Sequence, residues 1–269
     1  MQHFAKKRFG QNFLIDTSII NLIVDSIQPQ ADDIMLEIGP GLGAMTRPLL
    51  SRLKFLNVIE LDRDIIPKLI KNCTFADIEN KDKLKVIEVD VLKFNFADFH
   101  ARQKTQQKLR VVGNLPYNIS TPVLFHLLNF RQYIEDMHFM LQKEVVDRIV
   151  AAPGNKHYGR LSVMLQTYFY TESLFEVPPH AFEPAPKVDS AILRLQPNTK
   201  YEDRINDFSQ FEALVRDAFS QRRKTLKNTL KNTCSAEHIE MAGLSAGQRA
   251  EELSIKDFVT LYTCIHNPG

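Results

Sequence analysis

Ile34–Ile38 is a short apolar run, and Gly39-Pro40-Gly41-Leu42-Gly43 follows it at once. A strand entering a glycine-rich turn in this way opens a strand–turn–helix unit. The same punctuation recurs along the chain. Phe55–Ile59 reads as a second strand ending at Glu60-Leu61-Asp62, and Leu84–Val89 as a third ending at Asp90. Leu109–Val112 is a fourth, ending at Gly113-Asn114-Leu115-Pro116-Tyr117, and Met137–Leu141 is a fifth. Ahead of them, Asp16 and Ser18 precede Ile19, Leu22, Ile23 and Ile27 at helical spacing. Further helical segments fit between the strands. Short apolar strands alternating with helices call for a mostly parallel sheet covered on both faces, an α/β fold.

The pattern changes further on. Tyr168–Val177 is rich in aromatic and β-branched residues and runs into Pro178, Pro179, Pro184 and Pro186; Ser190–Leu195 then alternates as a strand. After Pro197, Ser209-x-x-Glu212 reads as a capping box. Phe211, Leu214, Val215, Ala218, Phe219, Leu226 and Leu230 behind it read as one helical apolar stripe. Ser254 caps a last helix carrying Phe258, Leu261 and Tyr262. A boundary near residues 197–207 therefore divides a domain of residues 1–200 from a small all-α domain of residues 201–269. The 269-residue chain, 44% hydrophobic, has material for both cores.

Four strand ends carry chemistry. The glycines of Glu37–Gly43 let a ligand approach the backbone at the carboxyl end of the sheet. The pattern is G-x-G-x-G rather than the dinucleotide G-x-G-x-x-G, and S-adenosylmethionine has no pyrophosphate to cradle, so that cofactor is favoured. Glu60 stands about 20 positions on, where an acid suits the two ribose hydroxyls of an adenosine cofactor. Asp90 is placed to accept a hydrogen bond from the cofactor's adenine amine. Any one of these is an ordinary strand-end residue; all three on one sheet edge are harder to dismiss. The fourth is Asn114-Leu115-Pro116-Tyr117. An exocyclic adenine amine is a poor nucleophile because its lone pair is delocalised into the ring. Two acceptors aimed at its hydrogens, the Asn114 side-chain oxygen and the Leu115 carbonyl, would draw that lone pair out of conjugation. Pro116 would hold the backbone rigid, and Tyr117 can stack on the base. Taken without the other three, this sequence is an ordinary turn.

Lys7-Arg8-Phe9-Gly10-Gln11-Asn12-Phe13-Leu14, Glu37–Gly43, Asn114–Asn118, Leu141–Val145, Phe182-x-Pro184-x-Pro186-Lys187-Val188-Asp189-Ser190 and Gln221–Leu226 together resemble the KsgA-type ribosomal RNA adenine dimethyltransferases. The resemblance spans nearly the whole chain. It implies a Rossmann-like class I methyltransferase domain with a small helical C-terminal domain. It also implies N6,N6-dimethylation of two adjacent adenosines near the 3′ end of 16S rRNA, late in small-subunit biogenesis. By resemblance, Asn12, Leu14, Gly39, Glu60, Asp90 and Asn114 line the cofactor site. Phe182 is similar to an aromatic that forms a second stacking face for the target base; taken alone it reads as core packing beside a proline turn. Two alternatives stay open: a macrolide-resistance type methyltransferase of 23S rRNA, and a mainly non-catalytic small-subunit assembly factor.

The net charge of +2 does not by itself announce a nucleic-acid binder, so the RNA grip must come from local clusters. Arg223, Lys227 and Lys231 fall at i, i+4, i+8 on the expected helix and, with Arg222 and Lys224, make one cluster; Lys6, Lys7 and Arg8 make another. Phosphate contact is one reading and a solvated helix face the other. Cys73, Cys234 and Cys264 are three in number with no C-x-x-C spacing, and the eight histidines are scattered singly, which argues against disulfides and metal. Phe13–Val24 is too interrupted for a signal-peptide core, and no apolar run approaches the ~20 residues of a membrane span. The expectation is a cytoplasmic monomer that binds S-adenosylmethionine and ribosomal RNA, without metal or membrane.

Overall fold

The computed structural model describes residues 12–75 and 80–266. Contacts divide the chain into two units, Met1–Val146 with Glu172–Pro197, and Asp147–Thr171 with Asn198–Gly269. Each unit is therefore assembled from two stretches of chain, and the second takes in residues ahead of the sheet's last strands.

The first unit is built on a seven-stranded sheet. Its strands are β2 (Ile34–Ile38), β3 (Leu56–Glu60), β4 (Leu84–Glu88), β5 (Leu109–Asn114), β6 (Ile134–Gln142), β7 (Phe169–Val177) and β9 (Ser190–Pro197), in the order β4-β3-β2-β5-β6-β9-β7. The first five run parallel, and β9 is antiparallel to β6. Every residue of β3 and four of five in β2 are buried, so both faces of the sheet's middle are covered. That is why these strands are apolar runs rather than alternating ones. Connecting helices are α1 (Thr17–Ile27), α2 (Thr46–Leu50), α3 (Ile66–Thr74), α4 (Asn80–Lys83), α5 (Phe96–Arg102) and α6 (Ser120–Leu128). The expected cap of α1 is present: the Asp16 carboxylate accepts from the amides of Ser18 and Ile19. A two-stranded antiparallel ladder not signalled by the sequence joins β1 (Phe13–Leu14) to β8 (Phe182–Glu183).

Strand β5 runs two residues further than its apolar run. Gly113 pairs with Ile38 and Asn114 with Met140. A β-carbon on Gly113 would sit 2.4 Å from the Ile38 carbonyl oxygen, a backbone atom in the middle of the sheet that cannot step aside. Gly113→Ala should destabilise the protein by about 1–3 kcal/mol, the usual cost of overpacking. It should also lower turnover, because Asn114 follows directly; an unchanged melting temperature would overturn this reading.

The second unit is helical: α8 (Arg160–Tyr168), α9 (Phe208–Ala218), α10 (Leu226–Thr229), α11 (Ala236–Met241) and α12 (Ile255–His266). Helix α7 (Lys143–Val150) and β7 carry the chain across the division. Aromatic pairs run through the core of this unit, with Phe211 edge-on to Tyr262 and Phe219 stacked on Phe258, each pair 5.7 Å apart. Ser254 and Asp257 cap α12 reciprocally, as the sequence suggests.

The helical unit departs from the sequence pattern at the start of α9 and along its apolar stripe. The N-cap of α9 is Asp207, whose carboxylate accepts from Gln210 N–H at 3.0 Å. The backbone is extended at Asp207, so Ser209 already lies in the first turn, and Glu212 pairs instead with Arg160 at 2.7 Å. The single stripe from Phe211 to Leu230 is two helices. Helix α9 stops at Ala218, and the amides of Leu226 and Lys227 donate to the carbonyls of Gln248 and Ala246 rather than continuing the helix. Arg223 and Lys231 consequently sit in turns on either side of α10, and of the three expected on one helix face only Lys227 is helical.

Candidate active site

The strand order reverses at β2: the chain moves outward through β3 and β4, then returns to the far side of β2 for β5. The carboxyl ends flanking such a switch point are splayed apart and leave a crevice. A cavity of about 880 Å³ occupies it, within the usual range for small-molecule sites. Asn12, Leu14, Gly39, Glu60, Asp90 and Asn114 all line it, as do Leu115, Pro116 and Tyr117.

Gly39 has φ +67°, and a β-carbon there would stand 3.6 Å from the Asn114 carbonyl. That distance is an ordinary contact, so it is the left-handed turn rather than lack of space that calls for glycine at this position. Glu60 ends β3 with Oε1 accepting from the amides of Leu61 and Asp62 at 2.9 and 2.8 Å. Burial raises its pKa above the ordinary value, although these amides and that of Gly41 work in the other direction. Asp90 uses Oδ1 to cap the following turn at Leu92 N–H, leaving Oδ2 as an acceptor. Adjacent carboxylates of fixed orientation on an apolar-walled crevice fit an adenosine bearing hydroxyls and an amine.

Asn114 is oriented by its partner. Its Nδ2 donates to the Asn12 carbonyl at 3.3 Å. A carbonyl can only accept, so this contact assigns the amide and leaves Oδ1 as the acceptor. The Leu115 N–H donates to Met140 at 3.2 Å, and Ile119 N–H to the Pro116 carbonyl at 3.1 Å, which fixes the turn. Tyr117 is half-buried, with its hydroxyl 2.7 Å from Ser190 Oγ.

Phe182 is placed differently from the other aromatic. It is 3% exposed, opposite Leu14 in the β1–β8 ladder, and belongs to the apolar core. It is not among the described residues that line the cavity.

Glu37 is a site residue whose role the sequence left unassigned. It lines the cavity, is 1% exposed, and accepts a 2.7 Å hydrogen bond from Thr46 Oγ1. The signal was an acid inside an otherwise apolar buried strand. Burial, offset by Thr46 and reinforced by Glu60, pushes its carboxyl up to about 7. A carboxyl near 4.5 when unfolded and near 7 when folded favours folding below pH 4.5, and that contribution is lost as pH rises to 7. The loss is about 3 kcal/mol. Glu37→Gln should therefore unfold at higher denaturant than the parent at pH 8, with the gap closing toward pH 5. A gap independent of pH would refute the assignment.

In the second unit, Arg222, Arg223, Lys224, Lys227 and Lys231 are all exposed. Arg222 and Arg223 line a hollow of about 280 Å³ with Lys156, Arg249 and Glu251. The last three come from distant parts of the chain, so the sequence did not group them. Lys6, Lys7 and Arg8 lie outside the described residues. Among the described residues no cluster of histidine, cysteine or carboxylate could hold a metal ion, and no helix is long and apolar enough to cross a membrane.

The family model for ribosomal RNA adenine dimethylase matches residues 2–267. The chain belongs to that family. It is accordingly an rRNA adenine dimethyltransferase that uses S-adenosylmethionine. It is 50% identical to the ribosomal RNA small subunit methyltransferase A of Chromobacterium violaceum over 268 residues, covering 100% of this chain and 98% of that one. It is 52% identical to the protein of the same description from Methylobacillus flagellatus, over 97% and 98% of the two chains. The crystal structure of a dimethyladenosine transferase from Plasmodium falciparum superposes with a TM-score of 0.76, at 26% identity, over 93% of this chain and 95% of that one. The 23S rRNA methyltransferase ErmE gives a TM-score of 0.69 over 94% and 99%; at 24% identity that likeness is one of fold.

Proposed function

We propose that this enzyme dimethylates N6 of two adjacent adenosines near the 3′ end of 16S rRNA within the small ribosomal subunit, acting as a monomer in the cytoplasm. The observation that carries the chemistry is the assigned amide of Asn114, whose Oδ1 is left as an acceptor, with Asn114 and Leu115 both lining the cavity. The small-subunit address is supported by the full-length relatives at 50 and 52% identity.

Bound S-adenosylmethionine supplies a methyl group on a positively charged sulfur, a ready electrophile. The chain's own task is placement. Glu60 takes the ribose hydroxyls, Asp90 the adenine amine, and the Asn12–Leu14 segment with Gly39 closes around the remainder. Asn114 Oδ1 and the Leu115 carbonyl accept the two hydrogens of the target amine, and Tyr117 offers its ring to the unstacked base. Once alkylated, the amine is acidic enough to release its proton without a strong base. Phe182 supports this arrangement from the core, through the ladder that carries Leu14. In the helical domain, residues 201–269 as the sequence delimits it, Arg222, Arg223, Lys224, Lys227 and Lys231 contact RNA phosphates. Lys156 and Arg249 beside them strengthen that assignment. Lys6, Lys7 and Arg8 are a second phosphate-binding group.

Glu60→Ala should weaken cofactor binding by roughly 1.5–3 kcal/mol, the worth of a hydrogen bond to a charged group. Unchanged affinity by calorimetry would overturn the ribose assignment. The function itself is tested by methyl transfer from labelled S-adenosylmethionine to small subunits from cells lacking this methylation. Digestion should yield N6,N6-dimethyladenosine from the 3′ end of the small-subunit RNA. Label appearing only in large-subunit RNA would reverse the address.

A further inference from the structure

Tyr117 is held at both ends. Its carbonyl accepts from Ser120 Oγ at 3.1 Å, and its phenol is 2.7 Å from Ser190 Oγ, the commonest length for a hydroxyl pair. Ser190 is fully buried, the first residue of β9, opposite Gln142 in the ladder with β6. The residue before it is tied down as well, since Lys143 N–H donates to the Asp189 carbonyl at 2.9 Å. Strand β6 is thus a common ruler. Its Met140 carbonyl fixes Leu115, and its Gln142 registers Ser190, which in turn grips Tyr117. The acceptor pair at 114–115 and the ring at 117 are set from positions two residues apart on one rigid strand.

We propose that Ser190 is a positioning residue for methyl transfer, its buried hydroxyl clamping the Tyr117 phenol so that the ring is presented in one orientation beside Asn114. The inference rests on the reading of Tyr117 as a stacking face. A tyrosine with a free hydroxyl exchanges among staggered side-chain rotamers. With its far end bonded into the sheet it has one, and the base laid against it is delivered at a fixed height over the two acceptors. The hydroxyl is committed to Ser190, so Tyr117 contributes its face and not a proton. Burial, opposed by the bond to Ser190, raises the phenol's pKa above its ordinary value, which also keeps it neutral.

The test compares Ser190→Ala, Tyr117→Phe, the double variant, Ser190→Thr and Tyr117→Ala on small subunits lacking the modification. It follows kcat, KM for the subunit, cofactor affinity by calorimetry and melting temperature. Ser190→Ala and Tyr117→Phe should each lower kcat by roughly tenfold, the kinetic equivalent of one lost hydrogen bond. Cofactor affinity should stay within twofold, the double variant should be no slower than either single one, and Ser190→Thr should recover most of the rate. Tyr117→Phe leaves the buried serine in place, so it carries the test if Ser190→Ala folds poorly. Parental rates in Ser190→Ala and Tyr117→Phe, with Tyr117→Ala inactive, would overturn the clamp and leave the stacking reading intact. A parental rate in Tyr117→Ala would overturn both. Additive losses in the double variant, or a loss of cofactor affinity matching the loss of rate, would show two independent structural effects and also overturn the clamp.

Discussion

Asn114→Ala should lower single-turnover methyl transfer by at least about a hundredfold, the range seen when one group aimed at a reacting centre is removed. The same change should move cofactor affinity by less than about tenfold, since a single neutral hydrogen bond is worth no more. The asymmetry follows from when each contact matters. An adenine amine must become pyramidal to attack, and an acceptor at each hydrogen favours that shape over the flat, conjugated one. Oδ1 of Asn114 is available for this because Nδ2 is engaged by the Asn12 carbonyl. Asn114→Asp is the sharper variant. It keeps an acceptor oxygen but turns another toward the Asn12 carbonyl, where two acceptors repel, so it should rescue little. Activity within threefold of the parent in Asn114→Ala would reject the amine assignment. Full restoration by Asn114→Ala of cells lacking the protein would say that docking on the small subunit, rather than methylation, is what those cells need.

The sheet was legible because its central strands are buried on both faces and the first three each end on a residue of a different kind. Ile34–Ile38 stops at glycine, the next strand at Glu60 and the third at Asp90. Where local pattern and ladder disagree, the ladder decides: Gly113-Asn114 reads as a turn, yet both residues are paired across the sheet. The helical unit was harder. The apolar positions from Phe211 to Leu230 keep helical spacing across a turn, although one helix ends at Ala218 and the next begins at Leu226, its first amides held by the carbonyls of residues 246 and 248, distant partners that no local signal reveals. The candidate site shows the same division. Residue type pointed to Asn114, whereas Asn12 contributes a backbone carbonyl, for which side-chain chemistry gives no cue. Phe182 shows the limit for ring orientation, because either face of a two-residue ladder was open to it and it took the core.

Arg110→Leu should destabilise the protein by about 3–5 kcal/mol, the cost of leaving buried charges without their partner. Arg110 lies near the start of β5, at the sheet edge opposite the cavity, with its side chain 13% exposed. All five of its N–H groups are used. Nε and one terminal nitrogen grip the Asp136 carboxylate at 2.9 and 2.7 Å. The other donors reach Asp33 at 2.7 Å and the carbonyls of Gln28 and Ile27 at 3.2 and 2.6 Å, closing the end of α1. Burial opposes the guanidinium charge, but the bonds to Asp136 and Asp33 outweigh it and hold its pKa above the ordinary value. His138 offers no replacement cation. It lies 4.0 Å from Asp136, and burial lowers its pKa to about 4. Leucine at 110 would strand two carboxylates that are 10 and 11% exposed. Lysine keeps the charge but not the planar fork, so Arg110→Lys should fall between leucine and the parent. Adding Asp33→Asn and Asp136→Asn to Arg110→Leu should recover a large part of the loss, because the penalty belongs to the orphaned charges and not to the missing packing. Denaturant unfolding of the four proteins decides it: a loss below about 1 kcal/mol in Arg110→Leu, or a triple variant no better than the single one, would show that the cluster is not held together by charge.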